Sequence, residues 1–297
     1  MAREAHPGLP EFDYVKPKSL AEASQFLAEH AGISRPLSGG TDTFVRLRDG
    51  AWKEYKYLVD IKGLDGTNEL GFDPAKGLTI GAAVNMNRIS GFPAVREHYP
   101  LLAESCDTVA AYQLRNRATV VGNICNASPA GDTIGACLLY GGVLNIFGLD
   151  GTRQEALKDF FQGPGKTTLK TGDIVTSLHL PIPPKGMVGR YLKLNRNNRG
   201  DLAIVGVTAA AYPNPDVPSG LTVRVALASV APIPLVLPRV EEYFNTNILS
   251  EETAAKAAEI AMDSCSPIDD VRGTARYRKQ MVRNLTRQAL KALYGML

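Results

Sequence analysis

The sequence predicts an α+β fold on three observations. Strand-like and helical segments are interspersed over residues 1–183, three strand-like segments then follow one another, and helical segments come last. Of its 297 residues, 44% are hydrophobic and 21% charged, which excludes a disordered or low-complexity chain. That length fits one large domain or two of unequal size, with a core that needs no disulfide or structural metal.

The elements follow in order. Phe12 to Val15 reads as a short strand, and Ser19 as the cap of a helix with Leu20, Ala23, Phe26 and Leu27 on one face, ended by Gly32. Residues 35–44, RPLSGGTDTF, read as a polar Gly-Gly loop, and 57–61 and 78–84 as strands, the second after the turn signals Asp73-Pro74 and Lys76-Gly77. Residues 87–92 and 100–111 read as helical. In the stretch from Tyr112 to Tyr140 the first part is β-branched and Gly-rich, hence strand-like, and the last part is apolar with a helical leaning. Residues 143–147 form a strand before the Asp150-Gly151 hairpin signal, and residues 173–182 alternate like an edge strand.

Pro183-Pro184-Lys185-Gly186 is the strongest boundary signal, dividing the chain into residues 1–183 and 184–297. Beyond it, GRYLKLNRNN, LAIVGVTAAAY and LTVRVALASV read as antiparallel strands. Residues 250–262 form a helix capped by Ser250 or Thr253, and 274–295 another helix, basic on one side.

Several classes of function are disfavoured. A net charge of +3, 7% aromatics and a single Trp give no footprint for nucleic acid. No apolar run approaches the ~18–20 residues of a membrane helix, and no secretory h-region opens the chain, so a cytoplasmic location is expected. Cys106, Cys125, Cys137 and Cys265 lack metal-site spacing and read as buried small apolar residues. His6, His30, His98 and His179 are scattered and build neither a triad nor a metal site. Any redox chemistry therefore needs an organic cofactor.

Two stretches carry candidate chemistry. In Pro36-Leu37-Ser38-Gly39-Gly40-Thr41-Asp42-Thr43, adjacent glycines let backbone N–H groups converge on a ligand, and three hydroxyls add donors. This nest suits a pyrophosphate but is neither a Walker A loop nor a Rossmann fingerprint; taken alone, such a pair is more often a plain turn. The second stretch, from Thr119 to Asp132, is dense in small hydrogen-bonding residues that leave room for a ligand, or else form a tight turn region. Asp132 is its one acid, read either as an acceptor for ribityl or ribose hydroxyls or as the N-cap of the apolar helix that follows.

The loops PLSGGTD and TVVGNICNASPAGD, with QLRN before the second, closely resemble the FAD-binding subunit of molybdenum hydroxylases, the medium chains of the xanthine dehydrogenase and aerobic carbon monoxide dehydrogenase family. The resemblance continues through LTIGAAV, DIVTSLHLP, YLKLNRNNRGDLAIVGV and IDDVRGTARYRKQMVRNLTRQAL. It implies a two-lobed FAD domain of the vanillyl-alcohol oxidase type over 1–183, and a C-terminal flavoprotein domain of antiparallel sheet and helical bundle over 184–297. It implies one non-covalent FAD in this chain, a small partner subunit with two [2Fe–2S] clusters, a large partner subunit with the molybdenum cofactor, and an external electron acceptor.

By motif position, Pro36 to Thr43 would wrap the pyrophosphate, and Thr119, Gly122 and Asn123 would hold the pyrophosphate and ribityl side. Asp132 would bind ribityl hydroxyls, Val175 would pack on adenine, and Lys193 would lie near the isoalloxazine; Asp201 falls on the family's acidic position. A Lys there would stabilise the anionic reduced flavin, although an edge-strand surface lysine is the plainer reading. No side chain of this chain is required as a general acid or base. The four-cysteine insertion of family members with an extra cluster is missing, and the stretch Asn195 to Gly200 lacks the acidic residue that xanthine dehydrogenases carry before Asp201, which leaves NAD as acceptor in doubt. Arg272, Arg276, Arg278, Lys279, Arg283 and Arg287 read as a solvated helix face or a docking surface for partner subunits. Two other readings stand beside this one: a free-standing FAD-dependent reductase of the UDP-sugar type, and an assembly module that has lost its flavin.

Overall fold

The computed structural model describes residues 8–197 and 200–297; His6, Asn198 and Arg199, which figured in the sequence reading, lie outside the described residues. The N-terminal lobe winds β1 (Asp13–Val15), α1 (Leu20–Glu29), β2 (Ser34–Leu37), α2 (Thr43–Arg48) and β3 (Tyr57–Asp60) into a parallel sheet of order β1-β3-β2. The Ser19 hydroxyl accepts from the Glu22 amide and so starts α1. The segment 35–44 is not loop throughout, because Arg35, Pro36 and Leu37 pair with Leu58, Val59 and Asp60 and its last residues begin α2.

The second lobe opens with the hairpin β4 (Leu70–Asp73) and β5 (Gly77–Gly81), followed by α3 (Met86–Gly91), α4 (Pro93–His98), α5 (Pro100–Asp107), α6 (Tyr112–Arg115), α7 (Val120–Cys125) and α8 (Ile134–Leu139). Pro93 and Pro100 each lack an amide proton and restart the helix at its first position, so the helical region comes in short pieces. Val120–Cys125 is helical, against the strand-like reading. The Thr119 hydroxyl accepts from the Gly122 amide, and burial of Val120, Val121 and Ile124 outweighs β-branched propensity.

The chain returns through β6 (Val143–Gly148), β7 (Gly151–Ala156), the hairpin β8 (Phe161–Gly163) and β9 (Lys166–Thr167), and β10 (Ile174–Leu180). The resulting antiparallel sheet has the order β4-β5-β10-β6-β7. β10 is therefore central, correcting the edge-strand expectation. A bulge between Val175 and Ser177 shifts the side-chain alternation and buries residues on both faces.

The third body comprises β11 (Val188–Leu194), β12 (Val205–Pro213), β13 (Leu221–Ala228) and β14 (Leu235–Val236) in sequential antiparallel order, then α9 (Pro238–Thr246), α10 (Glu251–Ser264) and α11 (Ala275–Tyr294). Ser250 and Thr253 form a reciprocal capping box at α10. Along β12, Val207, Ala209 and Ala211 pack into the C-terminal core with Val282 and Leu290 of α11, whereas Ala210 joins the core of the second lobe. The alternating faces of one strand thus tie two cores together. α8 presses so closely on β12 that a Cβ at Gly135 would lie 2.2 Å from the Thr208 hydroxyl. α11 is not basic and solvated all along, because Arg278 is only 2% exposed.

Candidate functional site

The Gly-Gly loop joins β2 to α2. Pro36 and Leu37 lie on β2, with Leu37 buried, and Thr43 is the buried first residue of α2. The Ser38 hydroxyl donates to the Ala82 carbonyl at 2.8 Å, and the Ala82 amide donates to the Thr176 carbonyl at 2.9 Å, so the loop is moored to β10 next to Val175. A Cβ at Gly39 would lie 2.3 Å from the Arg117 carbonyl oxygen, which places the first loop directly against the backbone leading into the second. Gly40 has φ +77° and abuts the Phe44 ring, so glycine is required there. Among the described residues, the amides of Gly39, Gly40, Thr41 and Asp42 donate to no protein group, and Asp42 makes no side-chain cap for α2. Consecutive unpaired N–H groups in such a turn form a concavity for an anion. Just outside it, the indole of Trp52 has the Arg35 guanidinium 3.8 Å and that of Arg46 5.0 Å from its centroid.

The second loop is built mostly from side-chain hydrogen bonds. A Cβ at Gly122 would meet the capping Thr119 hydroxyl at 2.7 Å. Asn123 accepts from the Thr133 hydroxyl at 2.9 Å, and a Cβ at Gly131 would crowd that same Asn123 oxygen. Ala127 has φ +46°, and its carbonyl accepts from the Gly165 amide at 3.0 Å; the Pro129 carbonyl accepts from the Ser229 amide at 2.7 Å.

Asp132 resolves one alternative. Thr133, not Asp132, stands at the N-cap position of α8, and the Asp132 carboxylate instead accepts from Lys193 Nζ at 2.8 Å and from the Tyr191 hydroxyl at 2.6 Å. Tyr191 and Lys193 are two apart on β11 and therefore share a face. The side chains of Lys193 and Asp132 are 6% and 7% exposed, so Lys193 is not a surface lysine even though β11 is an edge strand. Burial pushes the Asp132 carboxyl up, and the Lys193 charge with the hydrogen bonds from Lys193 and Tyr191 draws it back. Burial and the neighbouring Asp132 charge push the Tyr191 hydroxyl well above its usual range.

Lys193 lines a cleft of about 680 Å³ between β11 and the segment from Asp107 to Arg115. The Arg115 guanidinium donates to the carbonyls of Val109 and Ala110 at 2.9 and 3.3 Å, and so holds a turn in which Ala110 has φ +43°. Tyr191 and Arg115 line this cleft and join the candidate site, and the sequence alone does not single them out. The first was signalled only by its place two residues before Lys193, the second by the QLRN motif. Val175, 4% exposed, lies in the core on β10 opposite Ile146. Asp201 sits 3.5 Å from Arg196 Nε, apart from the Asp132 network. The four cysteines are free; burial pushes the Cys106 thiol well above its usual range and that of Cys137 to about 12, so both are inert packing residues.

Comparison with known proteins places this arrangement. A family model described as "FAD binding domain in molybdopterin dehydrogenase" matches residues 10–183, and one described as "CO dehydrogenase flavoprotein C-terminal domain" matches 190–293. The chain is 30% identical over 284 residues to the carbon monoxide dehydrogenase medium chain of Afipia carboxidovorans, covering 94% of this chain and 96% of that one. It is 27% identical over 278 residues to the xanthine dehydrogenase FAD-binding subunit of Escherichia coli O157:H7, covering 93% and 94%. Among solved structures, carbon monoxide dehydrogenase from Hydrogenophaga pseudoflava gives a TM-score of 0.91 at 27% identity, covering 97% of this chain and 99% of that one. With its two glycine-bearing loops inside that match, the chain belongs to the FAD-binding medium subunits of the carbon monoxide dehydrogenase and xanthine dehydrogenase family, and is thereby a component of an oxidoreductase.

Proposed function

We propose that the chain holds one FAD non-covalently and relays electrons from the [2Fe–2S] clusters of a small subunit to an external acceptor, within a complex whose molybdenum-containing large subunit oxidises the substrate. The observation that carries this reading is the row of unpaired amides from Gly39 to Asp42, pressed by Gly39 against the approach to Thr119. The residues fit the cofactor: a cradle of N–H groups suits a pyrophosphate, and glycines keep side chains out of it. The relatives named above are medium or FAD-binding chains of multi-subunit dehydrogenases, which supports the partners.

On this reading Pro36 to Thr43 wrap the pyrophosphate, and Thr119, Gly122 and Asn123 hold it and the ribityl side from the second loop. Asp132 accepts from ribityl hydroxyls through lone pairs left over from Lys193 and Tyr191. Val175 supports the adenine, and Lys193 faces the isoalloxazine from the cleft. When bound, the flavin supplies the capacity to take up electrons singly and release them as a pair. The chain's own residues bind and orient it, and none of them transfers a proton. Residues 1–183 form the FAD-binding unit and 184–297 a second unit that closes on it through β11 and β12. The complex works in the cytoplasm; no helix of the described residues is long and apolar enough to cross a membrane.

The test is the absorption spectrum of the purified full chain after incubation with FAD and removal of the excess. One equivalent of FAD per chain, released by heat, is expected, followed by co-purification with an iron–sulfur and a molybdenum subunit. A chain that stays colourless at saturating FAD overturns the reading. Steady-state assays of the complex with NAD, a quinone, oxygen and a ferredoxin then identify the acceptor.

A further inference from the structure

We propose that Arg278 is a positioning residue for the second cofactor loop, acting on it through Ser229. The inference rests on the FAD site proposed above, but its geometry is independent of that reading. Arg278 is the fourth residue of α11, closing its first turn, and is 2% exposed. A buried guanidinium is tolerated only when paired and hydrogen-bonded. Its NH2 donates to Asp270 Oδ1 at 2.5 Å, and its NH1 donates to the Ser229 carbonyl at 2.9 Å. Asp270 is held in turn by the Arg272 amide and guanidinium, both at 2.8 Å.

Ser229 is an unusual place for that bond to end. It has φ +66°, a left-handed conformation that side-chain-bearing residues rarely adopt. Each of its polar groups is engaged: the carbonyl by Arg278, the hydroxyl on the Ala203 carbonyl at 2.8 Å, and the amide on the Pro129 carbonyl at 2.7 Å. Pro129 lies three residues before Asp132. Two hydrogen bonds thus run from the C-terminal helix to the loop that carries the Asp132 carboxylate. The other end of that loop is held by Gly165 at Ala127. The motif IDDVRGTARYRK, whose basic residues the sequence alone leaves to solvent or docking, therefore has one member turned inward onto the cofactor loop.

The competing account makes Arg278 a mere fastener of the turn from Asp270 to Gly273. The two accounts separate on Arg272, which shares Asp270 but makes no bond to Ser229. Full-length Arg278→Met, Arg278→Lys, Arg272→Met and Ser229→Gly are compared with the unaltered chain by FAD equilibrium dialysis, and by amide deuterium exchange of peptides spanning residues 126–133. Loss of one charge-assisted hydrogen bond corresponds to roughly 10–100-fold. Arg278→Met is expected to weaken FAD binding by about that factor and to speed exchange at 126–133. Arg278→Lys recovers part of the loss, and Arg272→Met stays within about threefold because its charge–carboxylate pair is partly exposed. Ser229→Gly keeps the amide and the carbonyl at φ +66° and gives up only the hydroxyl bond to the Ala203 carbonyl, so its loss is expected to be smaller than that of Arg278→Met.

Wild-type FAD affinity and exchange in both Arg278 variants overturn the proposal, as does an equal loss in Arg272→Met. If Arg278→Met does not fold, Arg278→Lys and its exchange pattern decide. If the unaltered chain binds no FAD, the cofactor reading falls, and exchange at 126–133 still decides whether Arg278 sets the loop.

Discussion

The two loops that face each other across Gly39 are built by opposite means. The first, Ser38 to Asp42, uses backbone: amides left unpaired, one glycine at φ +77°, one glycine pressed on a carbonyl, and a single side-chain anchor from Ser38. The second, Thr119 to Asp132, is set by side chains and by distant segments: Thr119 on Gly122, Thr133 on Asn123, Gly165 on Ala127, Ser229 on Pro129, and Tyr191 with Lys193 on Asp132. A backbone cradle is written locally in its glycines. A side-chain cradle depends on where residues 60 positions away arrive, so it is exposed to mutations all over the chain.

The largest effect should come from breaking the second loop at its buried charge. Asp132→Asn leaves the Lys193 ammonium buried without a counter-charge, and a loss of about 3–5 kcal/mol in urea unfolding is expected. The double change Asp132→Asn with Lys193→Met should recover much of it; a loss as large in the double variant would show that the pair is not coupled. Gly39→Ala tests the contact between the loops. Its Cβ meets backbone that cannot swing aside, so about 1–3 kcal/mol of stability and most FAD binding should go together. A variant of full stability with intact FAD binding would separate the loops again.

The smallest effect is a pH dependence at the Arg278 cluster. Burial works upward on Asp270, but the Arg272 amide and the Arg278 and Arg272 side chains outweigh it and hold the carboxyl at about 2, below its ordinary 3.8. A group whose pKa is lowered on folding contributes stability that is present above the unfolded value and lost as pH falls through the folded one. Wild type should therefore lose up to about 2 kcal/mol between pH 4 and pH 2 that Asp270→Asn does not lose. Equal acid slopes for the two proteins would remove Asp270 from the account.

Much of this was legible in the sequence because it is local. The Ser19 and Ser250 caps, the Asp150-Gly151 hairpin and Gly40 against Phe44 each act within a few residues, whereas the contact that requires Gly39 lies on distant Arg117. The misread parts are those where long-range contact overrides local preference. Val120 and Val121 favour strands, yet burial beneath a Thr cap makes them helical. β10 resembled an edge strand because its bulge hides the two-sided burial of a central one. Lys193 on an edge strand and Arg278 on a basic helix both carry the composition of surface positions, and only their partners 61 and 8 residues away turn them inward.

The sequence contains one tryptophan, and the fold has placed it where it is most informative. Arg35 sits on β2 just before the first loop, Arg46 on α2 just after it, and both guanidiniums lie over the Trp52 ring. Indole emission responds to the cations at its face, so a shift of either end of the loop changes colour and yield at a single site. Flavin absorption overlaps that emission, and a bound isoalloxazine would drain it by energy transfer. The protein thus carries its own optical gauge of cradle and occupant, readable in dilute solution without a label.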